Sequence, residues 1–229
     1  MLRSFFEHLL SAVLPFRCHV CEINTRFGIV LCEPCRQRLR KILHPPVRVD
    51  DTICDFPVYT LSSYDSFTAD IIRIIKYRPS FKLLQILTDE ASGVLSTFAG
   101  SEDVLIPVPM HAGRLAQRGF NQADYLAERF AMASGCHYSP ALLRTRMTRP
   151  QADCDEHERL TNLEQAFATG PGLLKDAFKD RRIILVDDVA TTGTTLKRCA
   201  EVLQPLRPAK ICAVTVSHSF KHCGGQSRG

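Results

Sequence analysis

The segment Ile183 to Thr195 constrains the fold of this chain more than any other feature. It begins with four consecutive aliphatic residues, passes through the adjacent acids Asp187 and Asp188, and ends in a threonine-rich turn that leads into an amphipathic pattern. A continuous apolar strand is typical of a parallel sheet whose two faces are both covered by helices. Ligands of such sheets bind at the carboxyl ends of the strands. The segment therefore predicts an α/β fold with a ligand site beside the two acids.

Other parts of the chain repeat this alternation of strand and helix. Val104 to Val108 forms a second compact apolar strand, and Lys210 to Val216 forms a third. Apolar residues at helical spacing follow the first two strands, and they are Ala123, Leu126, Ala127, Phe130, Leu196, Cys199, Ala200 and Leu203. The repeated pattern predicts a parallel sheet flanked by helices.

The region before residue 82 also carries recognisable local signals. Residues 52–64 are rich in β-forming residues and predict one or two short strands, which Pro57 places at a sheet edge. Apolar residues then recur at helical spacing from Phe67 to Ile75, which predicts a helix that ends before Pro79.

The turn from Thr191 to Thr195 has the chemistry of a phosphate site. Backbone N–H groups at a helix start attract anions, Gly193 allows close approach of the backbone, and four threonine hydroxyls can add hydrogen bonds. A ribose would separate such a phosphate from Asp187 and Asp188, because its hydroxyls donate to carboxylates. The alternative is that the acids only form the helix entry and the threonines are ordinary turn residues. The glycine motifs of nucleoside triphosphate and dinucleotide sites are absent from the sequence.

Two C-x-x-C pairs near the amino terminus predict a structural zinc site. Their cysteines are Cys18, Cys21, Cys32 and Cys35. Two such turns joined by a short loop can complete the tetrahedron of thiolates that Zn²⁺ requires. The alternatives are four unrelated buried cysteines or a redox pair, but redox C-x-x-C motifs do not occur as facing pairs.

A basic cluster follows the last of these cysteines and consists of Arg36, Arg38, Arg40 and Lys41. It is a candidate nucleic-acid contact, because cations beside a metal module can bind phosphates. A solvated helix face is an equally good interpretation of four charges. Two prolines after His44 mark the end of this module near residue 46.

Composition excludes several classes of protein. The chain has 229 residues, a formal charge of +5 and ten cysteines. It is too long for a disulfide-stapled mini-protein, and no apolar run reaches the roughly 18 residues of a membrane span. Residues 2–14 have helical rather than signal-peptide spacing, and we expect an amphipathic helix there. A reducing, cytoplasmic location is therefore expected.

The segment from Ile183 to Thr195 resembles the phosphoribosyl pyrophosphate signature of type I phosphoribosyltransferases. Together with the strings Pro107-Val108-Pro109-Met110 and Arg118-Gly119-Phe120-Asn121-Gln122 and the four-cysteine module, it is similar to the ComF family. The resemblance implies a type I phosphoribosyltransferase-like parallel sheet flanked by helices, with a small N-terminal zinc module. It implies a division into residues 1–46 with the zinc module, residues 47–80 with hood-like strands and a helix, and residues 81–229 with the α/β domain.

The resemblance also implies a ligand site. The threonine turn would hold a 5′-phosphate, the two acids the ribose, and the turn from Pro107 to Arg114 the pyrophosphate with Mg²⁺. The expected ligand residues are Asp187 and Asp188, which are also the expected catalytic residues, with Val189, Ala190, Thr191, Thr192, Gly193, Thr194, Thr195, Pro109, Met110, Arg114 and Arg118. Residues 104–123 contain no acid, which suits a polyanion. Residues 144–159 resemble the loop that covers the substrate in related transferases.

Two functions are compatible with these features. The first is a Mg²⁺-dependent phosphoribosyltransferase with an unidentified acceptor, acting in natural transformation, DNA uptake or DNA utilisation, as the family resemblance implies. The second is a non-catalytic single-stranded DNA-binding protein that keeps the phosphoribosyl site as a sensor or relic. The expected partners are phosphoribosyl pyrophosphate or a related ligand, single-stranded DNA and DNA-processing proteins.

Overall fold

The computed structural model describes residues 16–49, 54–78, 80–146, 166–171, 173–174 and 176–219. The amphipathic helix expected over residues 2–14 lies outside the described residues. So does most of the covering loop expected over residues 144–159. Within the described part, no helix is long and apolar enough to cross a membrane.

A six-stranded sheet forms the centre of the molecule. Its strands are β3 (Val47–Val49), β4 (Val58–Ser62), β5 (Val104–Pro107), β6 (His137–Tyr138), β9 (Arg182–Ala190) and β10 (Lys210–His218). They lie in the order β3-β4-β10-β9-β5-β6, and every neighbouring pair is parallel except β3 with β4. The predicted parallel sheet is thus confirmed, with one antiparallel strand added at an edge.

Two smaller strand pairs and six helices complete the described structure. The strand pairs are β1 (Phe16–Arg17) with β2 (Asn24–Thr25) and β7 (Leu142–Arg144) with β8 (Phe167–Thr169). The helices are α1 (Glu33–Ile42), α2 (Ser66–Tyr77), α3 (Phe81–Leu95), α4 (Ala112–Arg118), α5 (Gln122–Ser134) and α6 (Thr194–Leu203), and a 3-10 turn spans Gln204–Leu206.

Successive side chains of β9 pack alternately into two different hydrophobic clusters. Ile184 and Val186 pack in the cluster that contains Ile71 of α2, together with residues of α3 and α5. Ile183 and Leu185 pack in the cluster that contains residues of α6. Since successive residues of a strand point to opposite faces, the sheet is buried on both sides. This arrangement explains why the strand has an unbroken apolar sequence.

The structure corrects two expectations about the strands. Strand β9 continues to Ala190, whereas its sequence suggested an end at Val186. The extension is stabilised by β10, which pairs beyond that point, for example through Thr215 with Asp187. The edge position inferred from Pro57 is also wrong, because the following strand β4 pairs with β3 on one side and β10 on the other. Pro57 precedes β4, and its carbonyl accepts a hydrogen bond from the Ala213 N–H.

Candidate functional site

A polar cleft of about 620 Å³ lies at the carboxyl ends of β5 and β9. Its position agrees with the general rule for parallel sheets. The lining residues come from the ends of α2, β5, β7 and β9, from α4 and the start of α5, and from the turn that leads into the first residues of α6. They are Lys76, Tyr77, Val108, Pro109, Met110, Arg114, Gln117, Arg118, Asn121, Gln122, Ala123, Arg144, Asp187, Asp188, Val189, Thr191 and Thr195.

Asp188 enters the cleft from the face of the sheet that α2 covers. Its Oδ1 lies 2.9 Å from Nζ of Lys76, in the last turn of α2. The Asp188 side chain is only 11% exposed and that of Lys76 is 28% exposed. Burial lowers the pKa of Lys76, but the charges of Asp188 and Asp187 outweigh it and the net shift is upward. The ion pair therefore keeps a largely buried carboxylate and a cation together at the ligand cleft.

Asp187 lies on the opposite face of β9 from Asp188. Its Oδ1 accepts a hydrogen bond of 2.8 Å from the Asp188 backbone N–H. Burial raises the pKa of Asp187 to about 7, and the neighbouring charge of Asp188 acts in the same direction. The two acids therefore differ chemically: one is paired with a lysine, and the other gains or loses its proton near neutral pH.

The threonine turn connects β9 to α6. Gly193 has φ of +69°, a left-handed conformation that a side chain would strain, and it precedes the first residue of α6. Thr191 and Thr195 line the cleft, while the Thr192 hydroxyl lies 2.9 Å from that of Thr194. The turn thus brings hydroxyls and the amino end of a ten-residue helix to the edge of the cleft.

The structure separates the expected ligand residues into two groups. Those that line the cleft are Pro109, Met110, Arg114, Arg118, Asp187, Asp188, Val189, Thr191 and Thr195. The other four are Ala190, whose side chain is buried in the core, and Thr192, Gly193 and Thr194 in the turn. Their contribution to ligand binding stays a prediction.

The opposite wall of the cleft is built from the loop after β5 and the helices α4 and α5. Asn121 organises this wall: its Nδ2 donates to the Val108 carbonyl at 3.1 Å, and its Oδ1 accepts from the Ala123 N–H at 3.2 Å. Arg118 ends α4, and Gly119 with φ of +83° allows the sharp turn to α5. The wall therefore holds Arg118 at a fixed position over the cleft.

Lys76 and Arg144 line the cleft but were not among the ligand residues predicted from the sequence. With Arg114 and Arg118, these two residues give the cleft four cationic side chains against two carboxylates. Burial lowers the pKa of Arg144, and the charge of Arg114 adds to this effect. An excess of partly buried cations is favourable only if an anion compensates it, so the cleft suits a polyanionic ligand.

A signal for Lys76 is present in the sequence. It lies four residues after Ile72 and eight after Thr68, both of which are buried in α2. A lysine that continues an apolar helix face needs a partner. Which partner it finds depends on the fold, because Asp188 is remote in sequence.

The four predicted metal ligands come together in the amino-terminal module. The Sγ atoms of Cys18, Cys21, Cys32 and Cys35 all lie within 4.8 Å of one another. Backbone N–H groups of Cys21, Cys32 and Val20 outweigh the effect of burial and lower the pKa of Cys18 to about 7. Four converging thiols are the donor set of a closed zinc site, in which sulfur atoms lie roughly 3.8 Å apart. The geometry of the cysteines therefore fits Zn²⁺.

The basic cluster of α1 is engaged largely in ion pairs. Arg36 Nε and Arg40 Nε donate to the two carboxylate oxygens of Glu90 on α3, at 2.7 and 2.8 Å. Arg38 lies 3.2 Å from Asp65 and its guanidinium stacks on Phe67, 4.4 Å from the ring centroid. These contacts attach α1 to α2 and α3. Nucleic-acid binding by the cluster stays a prediction, and it would have to compete with these carboxylates.

Comparison with known proteins agrees with the cleft and its fold. A family model described as the phosphoribosyl transferase domain matches residues 77–224. DNA utilization protein YhgH of Escherichia coli (strain K12) is 30% identical over 200 residues, which cover 81% of this chain and 83% of that protein. Competence protein F of Haemophilus influenzae is 34% identical over 105 residues, which cover 45% of each chain. Competence protein ComFC of Streptococcus pneumoniae is 29% identical over 143 residues, 62% of this chain and 59% of that protein.

These matches define the class of protein. Four strands of the sheet (β5, β6, β9 and β10), the acid pair and the threonine turn lie within the residues that match a phosphoribosyl transferase domain. More particularly, the chain belongs to the ComF family, since the relative named DNA utilization protein YhgH is 30% identical over 81% of this chain and relatives named as competence proteins match shorter parts of it.

Proposed function

We propose that this protein binds phosphoribosyl pyrophosphate together with Mg²⁺ and transfers the phosphoribosyl group, in the service of DNA uptake or utilisation. The observation that carries the proposal is the arrangement of Asp187, Asp188 and the threonine turn around one cationic cleft. Carboxylates accept hydrogen bonds from sugar hydroxyls, and the turn donates to a phosphate. No simple anion needs both kinds of group, whereas a sugar phosphate does.

Different residues of the cleft bind different parts of the proposed ligand. Thr191 and Thr195, with the amino end of α6, receive the 5′-phosphate. Asp187 and Asp188 accept hydrogen bonds from the ribose hydroxyls, and Arg114 and Arg118 receive the pyrophosphate from the opposite wall. The ligand would thus span the cleft from α6 to α4.

The cleft fits Mg²⁺ as well as the sugar. Mg²⁺ prefers carboxylate and phosphate oxygens and commonly binds through one or two carboxylates plus substrate phosphates. Asp187 and Asp188 supply such oxygens beside the expected pyrophosphate. Bound Mg²⁺ would neutralise charge on the leaving pyrophosphate.

Transfer of the phosphoribosyl group requires that the protein stabilise the charges that develop during the reaction, and the cleft has suitable side chains. As the bond from C1 to pyrophosphate lengthens, positive charge develops on the ribose and negative charge on the leaving group. Arg114 and Arg118 would stabilise the leaving group, and the acids would hold the sugar in place while an acceptor attacks C1. The carboxylates also lie near the developing positive charge, which favours the transition state over the bound ligand.

The four-cysteine cluster would bind a structural Zn²⁺. Its fourth ligand position is filled by a cysteine, as in closed sites that stabilise a fold. The ion would fix the loop between β1 and α1, and the ion pairs of α1 with Glu90 would attach this module to α3.

Calorimetry with phosphoribosyl pyrophosphate tests the proposal. We expect the wild-type protein to bind it only in the presence of Mg²⁺, and the double variant Asp187→Ala, Asp188→Ala to lose binding while its circular dichroism spectrum is retained. Equal binding by the wild type and the double variant would remove the proposal. Release of pyrophosphate in the presence of candidate acceptors, including bases, amines and single-stranded DNA, then separates an enzyme from a ligand sensor.

A further inference from the structure

Gln122 has a buried hydrogen-bond donor without a protein partner. The residue is the first of α5, is 2% exposed and lines the cleft. Its Nε2 has no hydrogen-bond partner within the described ranges of the chain. Leaving a buried amide donor unsatisfied is unfavourable, so such a group calls for a partner outside the protein.

Arg118 fixes which way this amide points. Its Nη1 donates to Gln122 Oε1 at 2.9 Å. Rotating the amide by half a turn would place its NH₂ group against a guanidinium, where two donors would face each other. The orientation with Nε2 unpartnered is therefore the one that the neighbouring cation requires.

The surroundings of Gln122 specify the kind of partner that is missing. Burial lowers the pKa of Arg118; the charge of Asp188 opposes this shift and that of Arg114 adds to it, so a carboxylate and a second guanidinium both lie near Arg118. Gln122 also stands at the amino end of a thirteen-residue helix, which carries a partial positive charge. An amide donor, two guanidinium groups and a helix amino end together favour a phosphate group.

We infer that Gln122, at the amino end of α5, is a specificity-determining residue of the pyrophosphate subsite, and that its Nε2 donates to one phosphate of the pyrophosphate group. This subsite lies on the wall opposite the threonine turn and recognises the leaving group rather than the 5′-phosphate. Gln122 then distinguishes a sugar that carries pyrophosphate from one that lacks it. The inference rests on the proposed function for the identity of the natural ligand, but its test uses separate probes.

The test compares two probes on two substitutions. Inorganic pyrophosphate with Mg²⁺ reports on the pyrophosphate subsite, and ribose 5-phosphate reports on the threonine turn. Gln122→Met removes both the donor and the oxygen that accepts from Arg118, whereas Gln122→Glu keeps an oxygen for Arg118, loses the donor and adds a negative charge. Since a hydrogen bond to a charged group is involved, we expect both substitutions to weaken pyrophosphate binding by about tenfold or more and to leave ribose 5-phosphate within about twofold.

Each other outcome overturns the inference. If only Gln122→Met weakens pyrophosphate binding, the residue acts through Arg118 and not as a donor. If the substitutions weaken the binding of pyrophosphate and of ribose 5-phosphate equally, they disturb the whole cleft. If the wild-type protein does not bind pyrophosphate, it has no pyrophosphate subsite and the inference is wrong.

Failure of the inference and failure of the proposed function give different results. Wild type that binds phosphoribosyl pyrophosphate, with Gln122 variants that bind both probes normally, contradicts the inference alone. A pyrophosphate effect at Gln122 in a protein that does not bind phosphoribosyl pyrophosphate contradicts the proposed function alone.

Discussion

Lys76 Nζ lies 2.9 Å from Asp188 Oδ1 and joins helix α2 to the end of strand β9 at the ligand cleft. The pair has two consequences. It balances a carboxylate that is largely buried, and it holds the Lys76 ammonium group beside the two acids that we propose bind the sugar. Ligand hydroxyls that donate to Asp188 would release Lys76 toward an anionic group of the same ligand.

Removing the lysine should destabilise the protein more than removing the pair. We expect Lys76→Met to lower the free energy of unfolding by roughly 2 to 4 kcal/mol, because it leaves Asp188 without its partner. The double variant Lys76→Met, Asp188→Asn should recover part of this loss. Urea denaturation of the wild type, both single variants and the double variant measures the coupling. Additive losses would show that the ion pair contributes no coupling.

The raised pKa of Asp187 predicts a stability difference that depends on pH. A carboxyl group whose folded pKa is raised stabilises the fold below its unfolded pKa, and this stabilisation is lost as pH rises through the folded value of about 7. Asp187→Asn cannot ionise and avoids that loss. The melting temperature of Asp187→Asn minus that of the wild type should therefore be larger at about pH 8.5 than at about pH 5.5. A difference that is constant over this range would contradict the assigned ionisation.

Glu90 of α3 links that helix to α1 of the four-cysteine module. Hydrogen bonds from Arg40 and Arg36 hold the pKa of this carboxyl below its usual range, and its side chain is 14% exposed. We expect Glu90→Gln to lower the melting temperature by roughly 3 °C near neutral pH. The stabilisation should disappear as pH falls through the lowered pKa.

Asp89 provides the matched control for Glu90. It is the adjacent residue, and its pair with Arg129 is exposed, with the acid 51% accessible. Exposed pairs stabilise little, so Asp89→Asn should be almost neutral. Equal effects of the two substitutions would show that the double ion pair to α1 has no special role.

Metal content tests the cysteine cluster directly. Elemental analysis of the purified protein should find about one Zn²⁺ per chain, and Cys18→Ser or Cys35→Ser should lose it. Cys212→Ser is the control, because Cys212 is a buried thiol of the sheet and lies outside the cluster. A folded wild-type protein that contains no metal and gains no stability from added Zn²⁺ would contradict the site.

Local sequence patterns predicted the main strands, their helices and the four-cysteine cluster. These features depend on signals within a few residues, such as the apolar run from Ile183 to Val186 and the repeated C-x-x-C spacing. Four of the ligand residues predicted from the sequence, Asp187, Asp188, Thr191 and Thr195, line the cleft, and their role in ligand binding stays a prediction.

Features that depend on distant partners were not predicted. Strand β9 extends to Ala190 because β10 pairs beside it, and the pairing of β4 on both sides overrides the signal of Pro57. The contact of Lys76 with Asp188 joins elements that only the fold brings together. Sequence patterns show that such groups need partners, but the tertiary structure decides which partners they find.

A structure of the protein with phosphoribosyl pyrophosphate and Mg²⁺ tests the central claim most directly. It should place the ribose hydroxyls within hydrogen-bond distance of the Asp187 and Asp188 carboxylates, and the 5′-phosphate against the turn from Thr191 to Thr195. Ligand density at another surface, or a sugar that faces away from both carboxylates, would contradict the account.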